Sequence, residues 1–369
     1  MTTPKILLMA GGTGGHIFPA LAVAKFLQMQ GWDAHWLGSA NGMEESLVPK
    51  HNISIDSIPV SGVRGKSLLT RLLAPFQLIR AIWCAIKIIR RYRPDVVLGM
   101  GGFASGPGGL ASWLLGYPLC IHEQNAVSGL TNRWLAKIAT YKLEAFPGSL
   151  KQADEQVGNP VRADISAIEP PDRRLKQHLG DLRILIIGGS RGAAVLNEIV
   201  PKSAALIGQE TPLEIWHQVG SGNKGIVTER YSEAGFNLTD QSITVSDFID
   251  DMPKAYAWAD LVICRSGALT VSELAAVGLA AIFIPFPHAV DDHQTKNAAY
   301  LVDVKAAEII PQAEFSEQSL TDKVLAIGHR NNCIEMAKRA REMSKPNATT
   351  KVAEYCAKAS GLDTQRWAA

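Results

Sequence analysis

The chain states the same opening twice. Ile6-Leu7-Leu8-Met9-Ala10 runs into Gly11-Gly12-Thr13-Gly14-Gly15-His16, and Arg183-Ile184-Leu185-Ile186-Ile187 runs into Gly188-Gly189-Ser190-Arg191-Gly192. Gly11, Gly12, Thr13 and Gly15 align with Gly188, Gly189, Ser190 and Gly192 at one constant offset. A short apolar run, a glycine turn and a helix start follow one another as in a buried parallel strand that delivers a loop to a ligand. Glycine lets backbone approach a ligand closely, and the helix start offers unpaired N–H groups to an anionic or polar group. Two such units at the heads of two halves predict an α/β chain of two Rossmann-like, doubly wound domains facing a cleft. The division expected is 1–161 and 162–346, with a last helix at about 347–360 turned back toward the first domain by Pro346.

Composition excludes several classes. A chain of 369 residues is long for one core, and 47% hydrophobic with 20% charged residues is ordinary globular packing rather than disorder. A net charge of +2 gives no general attraction for nucleic acid, so any basic patch is local. The five cysteines, at 84, 120, 264, 333 and 356, are odd in number and lack metal-ligand spacing, which fits a reducing cytoplasm better than a disulfide framework. The first strand begins almost at once, leaving no room for a signal peptide, and the longest apolar runs fall short of a membrane span.

In the first half, a helix is expected from Pro19 to Gln30 and a second strand at Asp33 to Leu37. That strand ends Trp36-Leu37-Gly38 without an acid, and Ile17 stands where a dinucleotide fingerprint has its last glycine, so neither a nicotinamide nor a flavin cofactor is expected. Ser57 to Pro94 holds eight basic residues and no acidic one, interleaved with Leu, Ile, Phe76 and Trp83. Pro75 is expected to divide it into two helical pieces. Two readings fit: a core helix with a solvated basic edge, or a basic apolar face lying on an anionic membrane. Nucleic acid fits less well, because aromatic residues are not interleaved as stacking platforms. After the strand Asp95 to Leu98, six glycines fall within eleven positions, Gly99 to Gly109, and read as a second ligand-facing loop before a helix at Leu110 to Leu115. Pro118 to Ile121 is a strand running into His122-Glu123-Gln124-Asn125, polar residues where parallel sheets bind ligands.

In the second half, Leu261 to Cys264 runs into Arg265-Ser266-Gly267-Ala268 and a helix to Val277 closed by Gly278. Glu273, a turn and a half inside, is placed to accept two hydrogen bonds from a ribose diol, or it is a surface glutamate on an amphipathic helix. His288, Asp292 and His293 lack the spacing of a zinc site, so no metal is expected. No G-x-S-x-G elbow supports a Ser-His-Asp hydrolase.

The motifs as a set resemble the MurG family of bacterial glycosyltransferases. They are Ala10 to His16, Gly99 to Gly102, Ser105 to Gly109, His122 to Asn125, Val157 to Arg162, Gly188 to Ser190, Phe248 to Met252, Cys264 to Glu273 and Asp292 to Gln294, in order along nearly the whole chain. The resemblance implies the twin-domain GT-B fold and inverting transfer of N-acetylglucosamine. The donor it implies is UDP-N-acetylglucosamine, and the acceptor is the muramyl group of undecaprenyl-pyrophosphoryl-muramyl-pentapeptide, a peptidoglycan precursor. It implies no cofactor, and a peripheral position on the cytoplasmic face of the inner membrane, against an anionic lipid surface.

The resemblance also distributes roles. Ile249 is similar to the residue whose backbone meets the uracil. Ala268, Leu269, Thr270, Val271, Ser272 and Glu273, following Arg265, resemble the segment around the nucleotide, with Glu273 on the ribose. Ser190 and Arg162 resemble contacts to the diphosphate, and Gln294 and Asn125 contacts to the sugar. Thr13, Gly14 and Gly15 resemble a loop closing over the donor. Arg191 stands where the family commonly has Gln, and either adds positive charge near the diphosphate or points to solvent. His16 is the candidate base, because deprotonating an acceptor hydroxyl suits a side chain of near-neutral pKa. Its rivals are that His16 only positions the acceptor, or that a carboxylate of the first domain acts. Another sugar-nucleotide enzyme of the same fold and a non-catalytic nucleotide-binding module remain as other readings.

Overall fold

The computed structural model describes residues 3–60, 68–189, 192–237 and 242–362. The chain forms two compact units, Met1–Arg162 with Lys345–Ala369, and Ala163–Ser344.

The first unit is built on seven parallel strands: β1 (Lys5–Met9), β2 (Asp33–Ser39), β3 (Ser54–Ile58), β4 (Val96–Gly99), β5 (Leu119–Glu123), β6 (Tyr141–Glu144) and β7 (Glu155–Gln156). Their order is β3-β2-β1-β4-β5-β6-β7. β1 is apolar throughout because it is covered on both faces. Ile6 and Leu8 pack with the helix Gly14–Met29 and with Val352, Ala353 and Cys356 of the helix Ala348–Ala359. Leu7 and Met9 pack with Ala81, Ala85 and Ile89 of the helix Leu68–Tyr92 and with Ala111 of the helix Ser105–Leu114.

The second unit repeats the plan with six parallel strands: β8 (Leu182–Ile187), β9 (Leu213–Gln218), β10 (Ile243–Ser246), β11 (Leu261–Cys264), β12 (Ala280–Phe283) and β13 (Ala307–Ile309), ordered β10-β9-β8-β11-β12-β13. In each sheet the order reverses beside the first strand of the unit, between β1 and β4 and between β8 and β11. A doubly wound sheet binds ligands at the carboxyl ends of its strands at that reversal. Met9 pairs with Gly99, and Ile187 with Cys264, so both strand ends at each reversal finish level.

Three local expectations change. Pro75 does not divide its segment: one helix runs Leu68–Tyr92 with Pro75 inside. The proline lies near the helix start, where it removes one backbone bond and leaves the later turns, packed through Ala81, Ala85 and Ile89, intact. The first helix begins at Gly14, not Pro19, so Thr13 is its extended N-cap and His16 lies in its first turn. The glycine-rich stretch after β4 is only half a loop. The helix begins at Ser105, and its glycines are packing positions. A Cβ on Gly108 would overlap Met9 of β1, and one on Gly109 would lie 2.7 Å from Leu135 Cδ2.

Candidate active site

At the reversal of the first sheet two glycine turns interlock. Gly12 has φ +91, and Gly101 and Gly102, after β4, have φ +89 and +85, conformations that glycine adopts without strain. A Cβ on Gly102 would overlap the backbone of Gly11, and one on Gly101 would lie 3.0 Å from His16 Nε2 and 3.6 Å from Gln124 Oε1. The imidazole of His16 therefore rests against the second turn. On its other side, Nδ1 lies 3.5 Å from Thr13 Oγ1. Gly14 would meet the Phe18 ring at 3.0 Å if it carried a Cβ, and a Cβ on Gly15 would lie 3.6 Å from Thr13 Oγ1. Arg162 closes the first unit with its guanidinium 5.9 Å from the centre of the Phe18 ring.

The polar residues at the end of β5 divide their work. Glu123 Oε1 accepts from the backbone and side-chain nitrogens of Asn125, at 3.0 and 3.3 Å. Oε2 accepts from Gly129 N at 3.1 Å and Asn132 Nδ2 at 2.9 Å. Glu123 thus fixes the loop that presents Asn125. His122 is fully buried, with Nε2 2.9 Å from the Gly158 carbonyl. Burial lowers its pKa to about 4 against the opposing pull of that carbonyl, so this histidine is neutral and its role is to anchor the Gly158 turn.

At the reversal of the second sheet, β11 delivers Arg265, Ser266 and Gly267 to the helix Ala268–Val277, whose N-cap Gly267 is extended and has no side-chain cap bond. The N–H groups of the first turn, at Ala268, Leu269 and Thr270, carry the positive end of the helix dipole. Val271 is core. Ser272 turns its hydroxyl back to the Ala268 carbonyl at 2.9 Å. Glu273 is 8% exposed and accepts a 2.9 Å hydrogen bond from the hydroxyl of buried Tyr256.

Arg265 turns away from the helix start. Its guanidinium donates to the carbonyls of Ile284 and Pro285 at 2.9 and 3.2 Å and to Gln312 Oε1 at 2.7 Å, and lies over Phe286. Gln294 Oε1 accepts from Phe286 N at 2.9 Å, so Arg265 and Gln294 steady the same segment after β12. Ile249, buried, follows β10. Ser190 and Arg191 lie outside the described residues. Among the described residues no group of three or more His, Cys, Asp or Glu side chains is arranged to hold a metal.

Residues 6–143 match the glycosyltransferase family 28 N-terminal domain and residues 183–354 its C-terminal domain. The chain is 53% identical, over 97% of its length and 99% of the relative's, to a Yersinia enterocolitica protein. That protein is named UDP-N-acetylglucosamine–N-acetylmuramyl-(pentapeptide) pyrophosphoryl-undecaprenol N-acetylglucosamine transferase. The crystal structure of MurG from Acinetobacter baumannii superposes with a TM-score of 0.83 at 42% identity, covering 96% of this chain and 99% of that one. This chain belongs to the MurG family of glycosyltransferases. Its architecture is GT-B, an α/β fold of two parallel-sheet domains. The calicheamicin glycosyltransferase CalG4, 13% identical with a TM-score of 0.68 over 100% of both chains, shares that fold alone.

The motifs identify the glycine turns, the helix after β11 and Glu123 within His122-Glu123-Gln124-Asn125, but two buried partners escape them. Glu44, which meets Gly12, and Tyr256, which meets Glu273, sit in unremarkable helical segments and reach these residues only through folding.

Proposed function

We propose that this chain transfers N-acetylglucosamine from UDP-N-acetylglucosamine to the muramyl 4-hydroxyl of undecaprenyl-pyrophosphoryl-N-acetylmuramyl-pentapeptide, with inversion, in peptidoglycan synthesis. The observation that carries this is identity of 53% across 97% of the chain, both units included, to a relative named for that transfer.

The second unit is the donor side. Glu273, held by Tyr256, accepts from the ribose diol, and the backbone of Ile249 meets the uracil. The Ala268–Thr270 amides, with Ser190 and Arg162, counter the charge that grows on the diphosphate as its bond to the sugar breaks. Asn125 and Gln294 orient the sugar, and Thr13, Gly14 and Gly15 cover the donor. The acceptor oxygen bonds to the anomeric carbon from the face opposite the diphosphate, UDP leaves, and the hydroxyl proton passes to His16. With the ring proton on Nδ1 toward Thr13 Oγ1, Nε2 is the basic atom.

The lipid acceptor calls for a membrane face. On the helix Leu68–Tyr92, Phe76, Ile79 and Trp83 are 70%, 60% and 60% exposed, beside Arg80 and Lys87. Trp113 and Trp134, on the helices that follow, are exposed too, and Lys87 and Lys137 lie over Trp83 and Trp134. This supports peripheral docking on the anionic cytoplasmic surface of the inner membrane. Among the described residues no helix is long and apolar enough to cross a membrane.

The test is UDP release with purified protein, donor and lipid-linked muramyl-pentapeptide. Disaccharide product and UDP should appear together; UDP-sugar consumed without a disaccharide would assign a different reaction. His16→Ala that keeps most of its kcat would remove the base from this histidine.

A further inference from the structure

One carboxylate in the first unit lies behind the glycine turn and takes no part in the chemistry above. Glu44 is the second residue of the short helix Met43–Leu47 and is fully buried. Every partner named for it is a donor. The backbone N–H and hydroxyl of Ser39 reach Oε1 at 2.9 and 2.5 Å, and the backbone N–H of Gly12 reaches Oε2 at 3.2 Å. An ionised carboxylate is acceptor-only and matches such a ring. Burial pulls the Glu44 pKa up, but the bonds from Ser39 and Gly12 outweigh it and hold the group below its ordinary value.

Glycines make the space. A Cβ on Gly11 or Gly42 would overlap the carboxylate, and one on Gly38 would lie 2.8 Å from Glu44 Cγ. Gly12 differs: nothing lies within 4 Å of its Cβ position, so its demand for glycine comes from its φ of +91 alone. The Glu44 bond to its N–H helps hold that conformation. From the opposite side, Gly102 packs on the backbone of Gly11. The turn is clamped between the two.

We propose that Glu44 is a positioning residue for sugar transfer: by fixing the Gly11–Gly12 backbone it sets where Thr13 and His16 stand at the start of the helix Gly14–Met29. This rests on the reading of Thr13–His16 as part of the transfer site. It also engages the Gly12 N–H, so recognition of a ligand by the turn starts at Thr13.

Glu44→Gln tests it. The amide keeps the volume, but whichever way it is turned its NH2 faces a backbone N–H, either of Gly12 or of Ser39. The displaced turn should lower kcat about 10–100-fold, the loss expected when a reacting group is misplaced by an ångström or less. KM for UDP-N-acetylglucosamine should rise by a smaller factor than kcat falls, since the turn only covers a donor whose nucleotide is gripped by the second unit. The double variant with His16→Ala should be no slower than His16→Ala alone, because Glu44 acts through His16. A lowered Tm with unchanged kcat, or losses that multiply in the double variant, overturns the proposal. If His16→Ala is impaired while folded Glu44→Gln has the original kcat, only this inference falls. If both keep the original kcat, the reading of the turn as the site falls first. Should Glu44→Gln fail to fold, Ser39→Ala, which removes one donor and keeps the charge, should give a smaller kcat loss, again larger than any rise in donor KM; no kcat loss overturns the proposal.

Discussion

Gly101 stands against the imidazole of His16: a Cβ added to it would lie 2.8 Å from Cδ2 and 3.0 Å from Nε2. An alanine there would push the ring and also strain the backbone at φ +89, a conformation that costs an L-residue roughly 1–2 kcal/mol. Gly116, with φ +77 and nothing within 4 Å of its Cβ position, isolates the second effect. Gly101→Ala should lose about 100-fold in kcat, whereas Gly116→Ala should lower Tm comparably and leave kcat alone. Steady-state kinetics with thermal melts of both variants check this, and equal kcat values would detach His16 from the reaction.

Tyr256 and Glu273 give a second contrast. The tyrosine hydroxyl donates to the buried glutamate across 2.9 Å, and Phe keeps the ring packing while removing the donor. A hydrogen bond to a charged group is worth about 1.5–3 kcal/mol, so a loosened carboxylate should raise donor KM roughly 10-fold. At saturating donor, kcat should be nearly unchanged, because the ribose lies away from the bonds being made. Calorimetric titration with UDP reads the same loss directly. A donor KM identical to that of the unaltered enzyme would mean that Glu273 does not hold the ribose.

Much of this was legible in the chain. Ile6 to Met9 was legible as a buried strand and the glycines after it as a turn into a helix, although that helix already begins at Gly14, because both signals are local and repeat at Ile184 to Gly189. Other features depend on what arrives from elsewhere. Gly108 and Gly109 look like loop residues until Met9 and Leu135 close on them. Glu44 reads as an ordinary helix-start acid until Gly12 and Ser39 surround it. Arg265, adjacent to the glycine turn in sequence, sends its side chain to carbonyls after β12. Sequence spacing captures which backbone reaches the strand end, and misses which side chains brace it from behind.

Acid should weaken both units through histidine. Burial lowers the pKa of His122 to about 4 and of His217 to about 3. Below the ordinary value of 6.5 the unfolded chain takes up these protons and the folded chain does not. Stability conferred by the neutral rings is therefore complete above pH 6.5 and declines as pH falls toward 4, by up to about 1.4 kcal/mol per pH unit for each ring. Glu44, Asp56 and Asp260 have pKa values below the carboxylate range, so their contribution is lost only at lower pH. Between pH 6.5 and 5 the fall in Tm belongs mainly to the histidines. His122→Asn should flatten it for the first unit and His217→Gln for the second. An unaltered slope in both would mean that these rings are protonated in the fold.

The exposed face of the helix Leu68–Tyr92 makes the last prediction. Its sheet-facing stripe is Ala81, Ala85 and Ile89, so Phe76, Ile79 and Trp83 are not needed for the core. Lys87 Nζ lies 4.7 Å from the centre of the Trp83 ring, so a positive charge and an exposed indole share one face. Near an anionic surface each basic residue contributes about 1 kcal/mol, and salt screens that part while the apolar part persists. Arg80→Glu with Lys87→Glu should therefore weaken sedimentation with phosphatidylglycerol vesicles by about 10-fold or more at low salt and less at high salt. Trp83→Ala should weaken it at both. Neither variant should alter kcat toward a short-chain, water-soluble acceptor, since both leave the strand ends untouched. Vesicle binding insensitive to both variants would assign membrane recruitment to another surface.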